Sequence, residues 1–257
     1  IRITNSESSV SASHIFTVKT DELPEFFPLI EIQLSDQCRM EPGWTLANFS
    51  LGDNGSFRTM PFIFDVNGDV RWLIDLSKLG GMTFKVDRFS NGNLRIGRGN
   101  FIYEYNMLGE ELKRWEVKGY WHHHDSVEMP NGNILIAVNN QEAPTIEDHV
   151  VELDRENGEI VRKWDLRELF DSRQLSNSKN QRDWFHMNAI WYSARDDSLI
   201  LSSRNQNAVI KVSGDNHLVW MLTPHGDWGA PALDGEDNEI SQFLLTAIDN
   251  HGKPYEQ

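Results

Sequence analysis

Histidine and arginine side chains that could do chemistry gather in three short segments of the sequence. These segments hold His122, His123, His124, Asp125, His186 and Arg204. A neutral imidazole can donate a proton, accept one or attack an electrophile, and a guanidinium binds oxyanions through paired hydrogen bonds. Together these residue types predict a site for a sulfate, phosphate or carboxylate group.

Each of these residues also has a structural interpretation. The triple histidine suggests a metal, but adjacent residues of a strand point to alternating faces, so at most two of the three could share one. No acidic or cysteine ligand pair is obvious beside them. Asp125 could simply orient a neighbouring imidazole, His186 could be a hydrogen-bonded interior histidine, and Arg204 could cap a loop. We therefore predict no metal, and only the combination points to an anion site.

One sequence pattern occurs four times along the chain. Each copy has a turn with a glycine, a few polar residues and then a strand with a tryptophan, and the four are Trp72, Trp115, Trp164 and Trp220. Their spacing is close to the roughly 40 to 50 residues of a four-stranded propeller blade. We expect these tryptophans to pack between blades. A β-sandwich would not repeat this ending at blade length.

The third repeat shows four strands by period-two alternation of apolar and polar residues. They are predicted at 122–129, 133–139, 149–154 and 160–166. Asn131-Gly132, between the first two, is typical of a tight hairpin turn because both central residues need positive φ. The sequence thus predicts an all-β fold, a β-propeller with about four to five four-stranded blades in this chain.

The blade topology places the candidate residues at one rim. Successive strands of a meander run in opposite directions, so the start of the first strand and the end of the second lie at the same edge. His122 to Asp125, His186 and Asn188 open first strands, whereas Arg204 closes a second strand, as Asn139 does. His225 lies in a loop leading toward the next inner strand. We therefore predict that these side chains share one face of the propeller.

Charge and composition narrow the class of partner. The chain has 257 residues, with 39 acidic and 24 basic side chains and a formal charge of −15, which disfavours nucleic acid and anionic membranes as partners. No apolar run approaches the roughly 20 residues of a membrane helix. The single cysteine, Cys38, cannot form an internal disulfide. A small-molecule or protein partner is expected, and the oligomeric state stays open, a homodimer among the options.

The chain divides into two parts by composition. Residues 1–43 are predicted to form a linker or outer-strand segment, and residues 44–257 an incomplete propeller domain. Between the third and fourth repeats, residues 166–185 mix apolar and polar side chains in a pattern that indicates a short helix and a loop. After Trp228 the chain is polar and shows no complete further blade.

Three segments carry a resemblance to a known family. They are Trp121-His-His-His-Asp-Ser-Val-Glu-Met-Pro-Asn-Gly-Asn133, Asp183-Trp-Phe-His-Met-Asn-Ala-Ile190 and Ser202-Ser-Arg-Asn-Gln-Asn-Ala-Val-Ile-Lys211. They resemble the active-site segments of bacterial aryl-sulfate sulfotransferases. Met40-Glu-Pro-Gly-Trp-Thr-Leu46 is similar to the entry to that family's propeller, so the resemblance covers most of residues 22–230.

The resemblance implies a six-bladed, usually periplasmic enzyme that needs no cofactor. Such an enzyme moves a sulfuryl group from a phenolic sulfate ester to a phenol through a sulfohistidine. It implies that His124, His186 and Arg204 act on the sulfuryl group, with His123, Asn188 and His225 as substrate-binding candidates. Whether His123 or His124 faces the site stays open.

The sequence also departs from the family pattern. The nucleophilic histidine of the family follows a glutamine on a later inner strand, and no such segment precedes Gln257, so we expect the nucleophile outside this chain. His251 reads as a turn residue. Two other functions are kept open: a noncatalytic propeller that binds a protein or sugar, and a hydrolase of sulfate or phosphate esters.

Overall fold

The computed structural model shows an all-β chain built from four successive antiparallel sheets. It describes residues 2–3, 12–13, 22–36, 38–53, 56–76, 79, 83, 85–170, 181–223, 240–246, 248, 251 and 253. Outside the four sheets, β1 (Arg2–Ile3) and β2 (Ala12–Ser13) form a small separate pair. The predicted fold class is confirmed.

The strands of each sheet follow one another in space as they do in sequence. The first sheet has three strands, β3 (Thr45–Asp53), β4 (Ser56–Phe64) and β5 (Val70–Leu73). The second has β6 (Val86–Arg88), β7 (Leu94–Arg98), β8 (Phe101–Tyr105) and β9 (Glu111–Glu116). The third has β10 (Tyr120–Glu128), β11 (Ile134–Asn140), β12 (His149–Leu153) and β13 (Ile160–Asp165). The fourth has β14 (Met187–Ser193), β15 (Ser198–Ser203), β16 (Ala208–Ser213) and β17 (Leu218–Leu222).

Three hydrophobic clusters join the sheets face to face in chain order. Leu94 and Ile96 of the second sheet pack toward the first, Ile134 and Ile136 of the third toward the second, and Leu135 toward the fourth. Because β11 is covered on both faces, its side chains from Ile134 to Val138 are all buried. The covering on both faces explains why the sequence of β11 is a continuous apolar run. Consecutive propeller blades pack against one another in this way.

Three of the four repeated tryptophans bind one sheet to the next. The indole N–H of Trp72 donates to the carbonyl of Met107 at 2.7 Å, that of Trp115 to Arg155 at 2.8 Å, and that of Trp164 to Ser213 at 2.9 Å. Met107 and Arg155 lie in the turn that precedes the last strand of the following sheet, and Ser213 ends the strand before that turn. The pattern found in the sequence is therefore an interblade contact that both buries an aromatic ring and satisfies its donor.

The described part also contains three short 3-10 helices. The first, Leu166–Glu168, begins where the sequence predicts a short helix, the second spans Gln181–Asp183 just before β14, and the third spans Ile240–Phe243. Within the described residues, no helix has the length and apolar character needed to cross a bilayer. The predicted division at residue 43 stays a prediction.

Candidate functional site

The first strands of the third and fourth sheets bring two histidines into contact. The Nε2 atoms of His124 and His186 lie 3.1 Å apart, and the ring centroids are 5.0 Å apart. Both strands carry an irregularity here, since pairing between β10 and β11 shifts between His122 and Ser126 and that between β14 and β15 between Met187 and Ala189. Such bulges re-aim side chains at functional sites.

The backbone at this site is held in an unfavourable conformation. His124 has φ of 48°, Glu147 of 60° and His186 of 53°, in the left-handed region that costs a residue with a side chain about 1 kcal/mol or more. The other described non-glycine residues with positive φ are Asp197, Asn207 and Asn216, which are residue types that tolerate it in turns. Strain that persists at three converging side chains indicates a functional constraint.

Two carboxylates meet the other ring nitrogen of His186. Its Nδ1 lies 2.7 Å from Oε2 of Glu147 and 2.9 Å from Oδ2 of Asp183. Burial raises the pKa of the Glu147 carboxyl; nearby His186 lowers it, and the negative charge of Asp183 raises it further. Reasoning from the sequence did not find Glu147, because it belongs to no motif in the sequence. Only the path of the loop between β11 and β12 brings it to His186.

The segment that carries His186 is bound by the segment that carries Arg204. The carbonyls of residues 183–186 all accept hydrogen bonds from residues 203–206. In particular, the Arg204 N–H donates to the His186 carbonyl at 3.1 Å. The side chain of Arg204 is 60% exposed, and its ion pair with Asp183 is long at 3.8 Å. Its guanidinium therefore lies near Asp183, the partner of His186, and is open to a solute.

The other histidines of the triplet lie deeper. His123 is buried, and its ring meets that of His124 edge to face at a centroid distance of 5.5 Å. Burial, together with the positive charges that its neighbouring histidines can carry, lowers the pKa of His123 well below its usual value. His122 is also buried, and burial lowers its pKa to about 3. The structure thus turns His124, and not His123, toward His186.

Asp125 binds a lysine of one neighbouring sheet and the backbone of the other. Its Oδ1 accepts from the Lys85 ammonium at 2.8 Å, and its Oδ2 accepts from the backbone N–H of Ile190 at 3.0 Å. These partners precede β6 and lie in β14, so the carboxylate connects the second, third and fourth sheets.

The remaining predicted residues have weaker links to the site. Asn188 is half-buried at the start of β14, and its side chain makes no hydrogen bond with the residues that the structure describes. His225 lies outside the residues that the structure describes. Asn139, noted only for ending a strand, accepts a hydrogen bond from the backbone N–H of Glu147 at 2.7 Å, and so helps to place that carboxylate.

A metal ion fits the geometry poorly. Donor atoms of His123, His124 and Glu147 lie within 4.8 Å of one another, as do those of Glu147, Asp183 and His186. However, Nδ1 of His186 is already at hydrogen-bonding distance from both carboxylates. The hydrogen bonds of this nitrogen run to the two oxygens of Asp183, at 3.0 and 2.9 Å, which is the arrangement of a protonated ring nitrogen beside an acceptor rather than of a ligand set.

The fold and the site together define a propeller protein with a histidine- and arginine-lined rim. The arylsulfotransferase (ASST) family pattern matches residues 29–256 of this sequence. The chain belongs to the arylsulfotransferase family.

Two relatives in this family show how much of it the chain covers. Arylsulfate sulfotransferase AssT of Escherichia coli O6:H1 is 27% identical over 248 residues, and AssT of Lelliottia amnigena is 24% identical over 248 residues. Each alignment covers 75% of this chain and 40% of the relative. The chain therefore spans about two fifths of the length of these relatives.

Solved structures resemble the chain more distantly. A Bacteroides caccae protein of unknown function has a TM-score of 0.44 at 13% identity, covering 72% of this chain and 69% of its own. A streptogramin B lyase has a TM-score of 0.43 at 14% identity, covering 73% of this chain and 61% of its own. Similarity at this level adds nothing to the family assignment.

Proposed function

We propose that the protein takes part in transfer of a sulfuryl group from a phenolic sulfate ester to a phenol. Family membership supports sulfotransferase chemistry in general. The observation that carries the proposal is the convergence of His124, His186 and the open guanidinium of Arg204 at one rim. Such a set combines a cation for the sulfuryl oxygens with imidazoles that exchange protons.

The proposed reaction has two balanced steps. A histidine nitrogen attacks sulfur, so that an N–S bond forms while the S–O bond to the donor phenol breaks, and the departing phenolate receives a proton. The acceptor phenol then loses its proton and attacks sulfur, so that a new O–S bond forms and the N–S bond breaks. His124, His186 and Arg204 bind the sulfuryl group in this scheme, and a further histidine is the nucleophile.

The protonation of His124 supports this role. Burial lowers the pKa of His124, and so do the positive charges of His186 and Arg204. A neutral imidazole beside an arginine can donate one hydrogen bond and accept another, whereas a permanently charged one cannot accept. The site therefore combines a fixed cation with a ring that is able to carry a proton in either direction.

The first experiment measures binding of sulfate and of an aryl sulfate by isothermal titration calorimetry. His186→Ala and Arg204→Ala should each weaken binding about tenfold or more, because each removes a charged or charge-assisted contact. Matched controls are His217→Ala, whose ring is 76% exposed, and Arg195→Ala, an exposed arginine in the turn before β15. If binding is unchanged in both variants, His186 and Arg204 do not contact the bound anion.

The second experiment tests transfer itself. The protein is incubated with an aryl sulfate, with and without a phenol, and digested for peptide mass spectrometry. A sulfuryl adduct on histidine and phenol-dependent release of the donor phenol are expected. Release that does not respond to phenol would instead indicate a hydrolase, and binding without release would indicate a binding protein. A periplasmic location stays a prediction, which cell fractionation tests.

A further inference from the structure

We propose that Arg98 binds a small oxyanion, a sulfate or a carboxylate, between the first and second sheets. This binding site is separate from the site of His124, His186 and Arg204. The proposal rests on a buried guanidinium that has no acidic partner among the described residues, and it does not depend on sulfuryl transfer.

The side chain of Arg98 is buried, but its charge is not balanced. The residue is only 8% exposed, and its Nη2 atom is buried without a hydrogen-bond partner in the part of the chain that the structure describes. Burial lowers the pKa of Arg98, and the ionisable neighbours that counteract burial are the phenols of Tyr103 and Tyr105. Phenols are neutral at pH 7, because their ordinary pKa is about 10. They therefore do not offset the positive charge of the guanidinium.

The other buried arginine of β7 shows what a paired guanidinium looks like in this fold. Arg95 lies 3.1 Å from Oδ2 of Asp87 and donates to the carbonyl of Ser126 at 2.8 Å. Its charge and its donors are thus satisfied within the protein. Burying an ionised group without such partners is costly, so the contrast with Arg98 indicates that an anion from solution completes the second case.

Arg98 faces away from the histidines. The missing side chain of Gly97 points at His122, since a Cβ there would overlap that ring. Successive side chains of a strand point to opposite faces, so Arg98 lies on the face of β7 that Leu94 and Ile96 present to the first sheet. The proposed anion site therefore lies in a different blade interface from the histidine pair.

A second buried polar group lies at the same end of this strand pair. Val86 of β6 pairs with Ile96 of β7 in antiparallel register. Thr83 precedes Val86 and Arg98 follows Ile96, so both residues lie at one end of the pair. The Thr83 hydroxyl is buried and, within the described residues, has no hydrogen-bond partner. A guanidinium and a hydroxyl with unused donors are the groups that bind an oxyanion.

The backbone next to Arg98 is fixed by hydrogen bonds on the side of the third sheet. The carbonyl of Gly99 accepts from the N–H of His122 at 2.7 Å, and the carbonyl of Asn100 accepts from the N–H of Val117 at 2.7 Å. Gly99 has a φ of 54°, a conformation that glycine adopts readily. A guanidinium on a rigid strand end loses little conformational freedom when it binds a ligand.

The test measures thermal unfolding in the Arg204→Ala background, so that the proposed sulfuryl site does not contribute. Sodium sulfate and sodium acetate are the probes, with sodium chloride at equal ionic strength as the reference. With Arg98 present, at least one probe should raise the unfolding midpoint by about 2–4 °C at roughly ten times its Kd. Adding Arg98→Met should abolish that rise, apart from the general effect of sulfate on any protein. Adding Arg195→Met, which removes an exposed arginine, should preserve it.

Two further measurements separate anion binding from a structural role. Without added anion, Arg98→Met should be at least as stable as its parent, because it replaces an unpaired buried charge with an apolar side chain. In ¹H–¹⁵N NMR spectra, the Arg98 Nε–H signal, identified by its loss in Arg98→Lys, should shift saturably with the active probe. Arg98→Lys should respond less in the unfolding assay, since an ammonium lacks the paired N–H groups.

Three results would overturn the proposal. They are an anion response that is equal with and without Arg98, a clear loss of stability in Arg98→Met when no anion is present, and an Nε–H signal that neither probe shifts. If Arg98→Met does not fold, Arg98→Lys and the NMR titration decide the question. The site at Arg204 is tested separately, because its loss is built into the background of every sample.

Discussion

His124 and His186 touch through their Nε2 atoms at 3.1 Å, although they are 62 residues apart in sequence and belong to different sheets. Each ring approaches the other from a backbone in the left-handed region. The contact therefore forms at the interface of two blades, and it depends on the correct docking of both first strands.

This contact predicts that the two histidines act as one unit in anion binding. In a double-mutant cycle, His124→Ala and His186→Ala should each weaken sulfate binding. The loss of binding free energy in the double variant should be much smaller than the sum of the two single losses. A coupling of about 0.5–3 kcal/mol is typical of residues in one hydrogen-bonded network. Calorimetric titration with sulfate measures it. Additive losses would mean that the two rings bind independently.

His149 predicts a dependence of stability on pH. Burial alone lowers its pKa, but hydrogen bonds with Asp148 and Asp165 outweigh burial and raise the pKa to about 9. The folded pKa exceeds the ordinary value of 6.5, so the stabilisation is fully present below pH 6.5 and is lost as the pH rises toward 9. The shift corresponds to at most about 3 kcal/mol.

Urea denaturation at several pH values between 6 and 10 checks this prediction. The difference in unfolding free energy between the wild type and His149→Gln should be largest at the acidic end, shrink as the pH rises from about 6.5 toward 9, and level off above that. Comparing the difference removes the contribution of other titrating groups. A difference that is constant across the range would show that His149 does not gain a proton on folding.

Asp125 predicts a graded loss of stability. Asp125→Ala leaves the buried N–H of Ile190 without this acceptor and should cost about 1–3 kcal/mol. Asp125→Asn keeps an oxygen for that N–H and should cost less. Lys85→Met removes only the half-exposed partner and should cost about 1 kcal/mol or less. Denaturation midpoints rank the variants, and an Asp125→Ala midpoint equal to that of Lys85→Met would contradict the link to Ile190.

Gly97 predicts a steric conflict with His122. A Cβ on Gly97 would overlap Nε2 of His122, so Gly97→Ala must displace a buried ring and should cost about 1–3 kcal/mol. In the double variant with His122→Ala the conflict is gone, and the two losses should sum to more than the loss observed. Thermal unfolding measures the three variants. If the losses of stability in the two single variants simply add up in the double variant, the cost of Gly97→Ala does not come from a conflict with His122.

Most of the strand pattern was predictable from the sequence, whereas part of the site was not. The strand expected at 122–129 is β10 (Tyr120–Glu128), and the one expected at 160–166 is β13 (Ile160–Asp165). Alternation and Asn-Gly turns are local signals, so they survive in the folded chain. Glu147 lies in an irregular loop whose path depends on Asn139 and Met187. No local pattern encodes those long-range hydrogen bonds.

The sequence by itself determined the all-β class, the repeated tryptophan ending and the family to which its motifs point, because side-chain periodicity and residue type are properties of short segments. Only the tertiary structure decided that His124 rather than His123 faces His186, that Asp125 binds Lys85 and Ile190, and that Glu147 joins the site. Those outcomes depend on bulges, on left-handed backbone and on the docking of neighbouring sheets, where a shift of one residue turns a side chain to the other face.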